Sequence, residues 1–442
     1  MTVNELRESI SVGKRNFSNQ KFTSNISIKQ GDLERVDYCK FYDCIFERKL
    51  ILKDLNSRTI KFQNCTFNNS VTFENCNLHE LSITGIKSIK ELRISDSIFN
   101  SVRLNSSDFI NSDFFLINNY IRVDLNCSEM MINSGKFIIN SRDKNENSTI
   151  KADFRNSFFD EFILLGNLNE LLFQGSRIKK LSFEHVNVNK AYFKNSEFGK
   201  EALFYNCNFN FNVSFSNIKC KIGEFRIQIC TVKGNSYFNN AVFDKLFISD
   251  TVFESRSSFN NVAINHFELY LVNFLKPVYF DELKIGIIKD CNRATLRTIK
   301  QELQKTDNRI DYNRFRGYEL QAYYKELKWN GNFRDKFILG ATWLATGFDH
   351  SWRKALAFTI FFGLFWYSIL YFWEYHGAFD ITEINTYFVG AFRFFLITNF
   401  SSPFDNGEYL KNAAYWLPFV FGKIFIAFGI YEMIQAFRKF KV

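Results

Sequence analysis

The chain has 442 residues, a formal net charge of +10, 55 phenylalanines and only 3 prolines. That length allows two or three domains. Among the nine cysteines there is no C-x-x-C pair and no neighbouring histidine, which excludes the common zinc modules, so the expectation is no metal and no cofactor.

The first segment, MTVNELRESISVGKRNF, has no apolar stretch of signal-peptide length. It reads as an N-terminal cap over residues 1–35, and the first 350 residues are expected to stay in the cytosol. From about residue 36 large apolar residues recur every five positions. Examples are Phe62 and Phe67; Ile94, Phe99, Leu104, Phe109 and Phe114; Phe183, Val188, Phe193 and Phe198; and Phe238, Phe243, Ile248 and Phe253. Two positions before many of them stands a small residue such as Cys65, Cys76, Ser97, Ser196, Cys207, Ala241 or Thr251. Neither the 3.6-residue helical period nor the two-residue strand period produces this spacing, whereas a fixed internal period marks a solenoid. The rhythm slips by one residue at Phe67 to Phe73, Phe198 to Phe204, Phe209 to Phe215 and Phe253 to Phe259. The polar stretch near 138–152 reads as an excursion. Several of the cysteines fall in the small-residue slot, and all nine read as reduced, buried small groups.

The S-D-F triplets at Ser107–Phe109 and Ser112–Phe114, with FQNCTF and FENCNL, resemble pentapeptide-repeat proteins. The resemblance implies a right-handed β-helix over residues 36–291, with four five-residue sides to a coil, a central apolar side chain pointing inward and the small residue beside it. Phe stands here where that family more often has Leu.

After Cys291 the pattern becomes helical, with Leu296, Ile299 and Leu303 on one face and Phe315, Tyr318, Ala322 and Leu327 on another. KTDNRID, 305–311, reads as the turn between these two helices, and a third helical piece is predicted over about 334–345. This neck, 292–350, lies in the stretch 292–354, which holds 13 lysines and arginines against 7 acidic residues, a net +6. It resembles the helical linker of bacterial pentapeptide-repeat proteins that end in a membrane hairpin.

Residues 355–373 carry no charge, and 413–437 carry only Lys423 and Glu432. Each run is long enough to cross the hydrocarbon core, which takes about 20 residues. Basic residues precede the first run and follow the second, while the connecting loop is acidic; both termini are therefore expected inside, in a multi-pass inner-membrane protein. Between the runs lies 386–404, apolar apart from Arg393 and expected to be re-entrant or interfacial. The order span, short helix, loop, span resembles the minimal two-helix ion channels. Those carry T-x-G-Y-G after the short helix; Thr398-Asn399-Phe400-Ser401-Ser402-Pro403 stands here, so potassium selectivity is not implied.

Intramembrane charges cost about 2.5–3.5 kcal/mol each on insertion scales and mark functional positions. Arg393, Thr398, Asn399, Lys423 and Glu432 are thus the candidate pore or intramembrane polar residues. Two spans per chain cannot enclose a pore, so a homo-oligomer is implied. The first expectation is a β + α membrane protein forming a channel-like pore, with the β-helix as a sensor or assembly domain. The alternative is a non-conducting scaffold tethered to the lipid bilayer and binding a protein partner through the β-helix. His79, His185, His266, His350 and His376 pair with no Cys or Asp at catalytic spacing, so no enzyme and no nucleic-acid partner are expected.

Overall fold

The computed structural model describes residues 1–32, 38–105, 109–141, 151–348, 351–375, 384–404 and 408–438. By internal contacts the chain divides into Met1–Thr295 and Leu296–Val442.

The first unit is a β-solenoid of about 12 turns. It opens with helix α1 (Val3–Ser11), held by a capping box in which Thr2 and Glu5 satisfy each other's backbone N–H groups. Every strand pairing in the stack is parallel. Phe41 lies beside Phe62, then Ile83, then Leu104, a step of 21 residues at each coil. A second column begins with Leu52, Phe73 and Ile94 and runs on through Leu116, Ile139, Leu164, Phe183, Phe204, Ile227, Ile248 and Leu269. The large residues at five-residue spacing are the buried ones. Parallel coils place identical positions one strand spacing apart, about 4.8 Å, and the phenylalanines use this directly. Phe154, Phe173, Phe193, Phe215, Phe238, Phe259 and Phe280 stack face to face with centroid steps of 4.9, 5.5, 5.0, 5.0, 4.4 and 5.1 Å.

The slips in the five-residue rhythm have a backbone cause. Asp43, Asp54, Asn64, Asn75, Gly85 and Asp96 all have positive φ, at steps alternating between eleven and ten residues. Each turns a corner in the left-handed region, which Asn, Asp and Gly tolerate best. The repeating unit is therefore an apolar residue, any residue, Asn or Asp, then the small residue. Corner side chains also bond from coil to coil: Asn75 Nδ2 donates to Asp54 Oδ1 at 2.7 Å and Asn217 Nδ2 to Asn195 Oδ1 at 3.1 Å.

The small residue does more than fit. Ser176 and Ser196 hydroxyls donate to the carbonyls of Phe154 and Phe173, both at 2.6 Å. Cys44, Cys76 and Cys230 donate in the same way to Phe17, Leu52 and Phe204. A buried carbonyl with no donor costs about 1–3 kcal/mol, which explains why Ser, Thr and Cys outnumber Ala in this slot.

All nine cysteines are unpaired and buried. Burial pushes the Cys39, Cys220 and Cys291 thiols up to about 12. A thiolate fraction so reduced slows alkylation near neutral pH by about a thousandfold, before occlusion is counted. A hydrogen bond with the Cys65 thiol lowers the Cys44 thiol to about 7, so for that residue burial alone must block reaction. Titration with a chromogenic disulfide is expected to find no reactive thiol in the native protein and nine after unfolding; a fast native reaction would contradict the packing.

Among the described corners, Glu129, Ser134, His185, Ile229, Leu271 and Glu282 depart from the Asn/Asp rule, and two of these are bulky aliphatics. Ile229 and Leu271 have φ of 55° and 51° and are 48 % and 69 % exposed. A bulky side chain there costs about 1–2 kcal/mol. Ile229→Asn is expected to raise solenoid stability by about 1 kcal/mol, measured by thermal unfolding, since it also restores a corner column that runs through Asn206 and Asp250. A lowered midpoint would show that the corner is not strained.

The solenoid begins at Asn16, not near residue 36, because 16–29 already pair with 38–53. Strand Met131–Ser141 covers the start of the expected excursion, and the strand resumes at Lys151; 142–150 lie outside the described residues. Helix α2 (Arg293–Lys305) starts on an Asn292 cap, and the buried Thr295 hydroxyl accepts from the N–H of Leu269 at 2.8 Å.

The second unit is helical. After α2 come α3 (Arg309–Glu326), α4 (Phe333–Thr346), α5 (Trp352–Glu374), α6 (Ile384–Phe395) and α7 (Trp416–Arg438). Glu319 of α3 receives Arg297 Nε at 3.0 Å and Lys300 Nζ at 2.5 Å. Burial raises its pKa and the two cations lower it; the cations win, and the carboxyl is held below the usual range. Two helices, Trp352–Glu374 and Ala413–Phe437, are long and apolar enough to cross a membrane. They pack closely because Gly422 and Gly429 leave no Cβ: one at Gly422 would strike the Phe394 ring and stand 2.9 Å from Trp366 Cβ, and one at Gly429 would strike the Thr359 hydroxyl.

Candidate functional site

The polar groups of the hairpin fall into two places. The first is the end of α6. A helix leaves its last four carbonyls without intrahelical partners, and here an amine from another helix meets them. Lys423, 5 % exposed and seven residues into α7, donates from Nζ to the carbonyls of Phe394 and Leu396, both at 2.7 Å. The same ammonium stands 5.1 Å from the ring centroids of Phe394 and Phe419. A cation at the negative end of a helix is favourable, and aromatic faces add to this. One buried charge is thus satisfied by two carbonyls and two rings.

Arg393, in the last turn of α6, is half-buried, and among the described residues no carboxylate pairs with it. Thr398 is exposed. Asn399 Oδ1 accepts from the N–H of Ser401 at 3.0 Å and from its hydroxyl at 2.5 Å, an Asx turn that reverses the chain. Buried Ser402 donates its N–H to the Glu408 carbonyl at 2.7 Å, and its Oγ accepts from the Phe404 N–H at 3.2 Å. The sequence places Arg393, Thr398, Asn399, Lys423 and Glu432 in one candidate set; the structure brings Lys423 to the end of α6, and Glu432 lies apart from it.

The second place is the far end of α7. Glu432, also 5 % exposed, accepts from the Thr346 hydroxyl at 3.1 Å, and that hydroxyl contacts the Thr342 carbonyl at 3.0 Å. Glu432 is therefore separate from the α6 site and holds the end of α4 against α7. Thr346 carried no signal in the sequence, since a threonine at a helix end is ordinary.

Around the Lys423 place the hairpin has an apolar core of Tyr367, Leu370, Tyr371, Ala391, Phe394, Leu410, Phe419 and Ile426. Ser368 and Tyr387 hydroxyls bond at 2.8 Å across α5 and α6. Tyr367 Oη is buried beside Gly390 and has no hydrogen-bond partner among the described residues. Among the described residues no group of three or more His, Cys, Asp or Glu side chains is placed to hold a metal.

Fold and site together define the class as a β-solenoid followed by a helical unit with two long apolar helices. No protein-family model, curated protein or solved structure matches the chain.

Proposed function

We propose that the second unit is a membrane hairpin, that several copies assemble into a channel-like pore, and that the solenoid, a pentapeptide-repeat β-helix in the cytosol, senses a signal or directs assembly. The observation that carries this reading is the bond from Lys423 to the end of α6. Helix α6 has 12 residues, about 18 Å, too short to cross a core of about 30 Å. Its end meets α7 about 10 Å along that helix from Trp416. A short helix that stops part-way along a spanning helix, followed by a polar reversal at Asn399–Ser402, is the layout of a re-entrant pore loop. Such backbone is tolerated at membrane depth only where protein or water satisfies it, and Lys423, Asn399 and Ser402 provide that. Only 39 % of each apolar helix window is covered by the rest of the chain. Lipid and neighbouring copies would cover the remainder. Arg393 and Thr398 then face the conducting path, and basic flanks place both termini in the cytoplasm.

Reconstituted protein is expected to pass current across planar bilayers. Arg393→Glu should shift the reversal potential in a salt gradient toward cations, because a ring of side-chain charge sets ion preference. A monodisperse monomer in detergent, with silent bilayers, would refute the pore.

One observation favours a second reading, the tethered scaffold. Ile229 and Leu271 expose apolar surface at corners where Asn or Asp would relieve strain, and Tyr270 is exposed next to Leu271. Strain kept at the surface points to a binding role. Under this reading the Asn variants gain stability and lose a protein partner, and the native protein remains a monomer.

A further inference from the structure

Helix α4 ends at Thr346, where Glu432 fastens it to α7 and Ala345 is fully buried, but a gap opens between its earlier, largely exposed residues and the hairpin. The gap is a cleft of about 710 Å³. Trp329, Phe337 and Leu344 line one wall and Phe362 and Phe425 the other, with Lys336 the single charged residue of the lining. The volume falls within the 300–1,000 Å³ of ordinary ligand sites. Its lining is almost wholly apolar, so water gains little by filling it.

We propose that this cleft holds an acyl chain of an anionic phospholipid, with the phosphate beside Lys336. The inference rests on the membrane reading above. Charge selects the occupant. Lys336 Nζ donates to the Leu327 carbonyl at 2.5 Å and lies 5.3 Å from the Tyr324 and Trp329 rings, which leaves it two further N–H donors. Lys328 and Arg334 flank it in the sequence, inside the stretch of net charge +6. Basic pockets beside spanning helices on the cytoplasmic side suit anionic head groups. The exposed Phe333, Phe337, Ile338 and Trp343 make α4 an interfacial helix over the same lipid. A linear chain carrying a phosphate satisfies both the apolar walls and the ammonium. A second copy of this basic segment would bring like charge to the same place.

Full-length protein in vesicles containing phospholipid brominated on the acyl chain provides the test, with Trp329 fluorescence isolated as the difference from Trp329→Phe. Brominated phosphatidylglycerol is expected to quench Trp329 at about fivefold lower mole fraction than brominated phosphatidylcholine. Gly340→Leu should abolish that preference. Gly340 lines the cleft, and a Cβ there meets only the Tyr324 ring, at 3.6 Å or more, so a side chain can start from it in ordinary van der Waals contact. Trp366, Trp373 and Trp416 report insertion independently. If they are quenched while Trp329 shows no lipid preference, or if Gly340→Leu leaves the preference intact, the lipid site is wrong and the membrane reading stands. If Trp329 is shielded from both lipids in an oligomer, a second copy fills the cleft and the proposal is overturned. If no tryptophan is quenched, both proposals fall.

Discussion

Phe193→Ala is expected to destabilise the solenoid by about 4 kcal/mol, within the usual range for removing a buried phenylalanine. Phe193 is fully buried and stacks on Phe173 and Phe215 at 5.5 and 5.0 Å, with Phe204 edge-on at 5.6 Å. Removing the ring opens a cavity that the neighbouring coils cannot close, because their backbones are fixed by hydrogen bonds above and below. In a stack that contacts only its neighbours, the loss propagates as a weakened interface between adjacent turns. Phe211→Ala, at an exposed position, is the control and should change stability by less than about 0.5 kcal/mol. Denaturant unfolding of both variants would decide. Equal effects would mean that the ladder does not hold the coils together.

Lys423→Met carries the second large effect, about 3 kcal/mol against the hairpin. It leaves the Phe394 and Leu396 carbonyls without donors in an apolar surround, at about 1–3 kcal/mol each, partly offset by the relief of no longer burying an ammonium. Lys423→Gln keeps one N–H-bearing group in reach and should lose less. The expected signs are a lower thermal midpoint in detergent and new protease cleavage within 396–404, where the turn after α6 would loosen. A Lys423→Met protein as stable and resistant as the native one would show that α6 is held by ring packing alone, through Phe394 on Phe419 and Tyr367.

The solenoid was legible because its rule is local. A phenylalanine every five residues, with a small residue two before it, is written within a single side of a coil. The corner rule was on the page too, in the Asn of FQNCTF and FENCNL, but the spacing alone made the extra residue look like an irregularity when it is the αL corner. The first coil escaped notice because Gln20 occupies the small slot between Phe17 and Phe22, although Asn19 makes the same positive-φ corner. Chain-local patterns also located the neck helices and both apolar helices, the observed Phe333–Thr346 and Trp352–Glu374 lying within a few residues of the expected limits. The site was legible only in part. Lys423 and Glu432 stood out as charges in apolar runs, but their partners could not be read. The acceptors of Lys423 are backbone carbonyls nearly thirty residues earlier, and the donor to Glu432 is Thr346, 86 residues away. No spacing rule reaches that far, and a carbonyl leaves no trace in a sequence. The apolar stretch 386–404 likewise concealed that its helix ends at Phe395, since what stabilises that end comes from α7.

The most direct test of the account is the sidedness of the hairpin. With all nine native thiols buried, single cysteines at Lys14 and at Lys411, both exposed, can be read against a silent background. In sealed inverted inner-membrane vesicles, a membrane-impermeant maleimide is expected to label Lys14→Cys at once and Lys411→Cys only after the vesicles are opened. Immediate labelling of both would place the loop and the amino terminus on one side of the bilayer, and the spanning hairpin would be wrong.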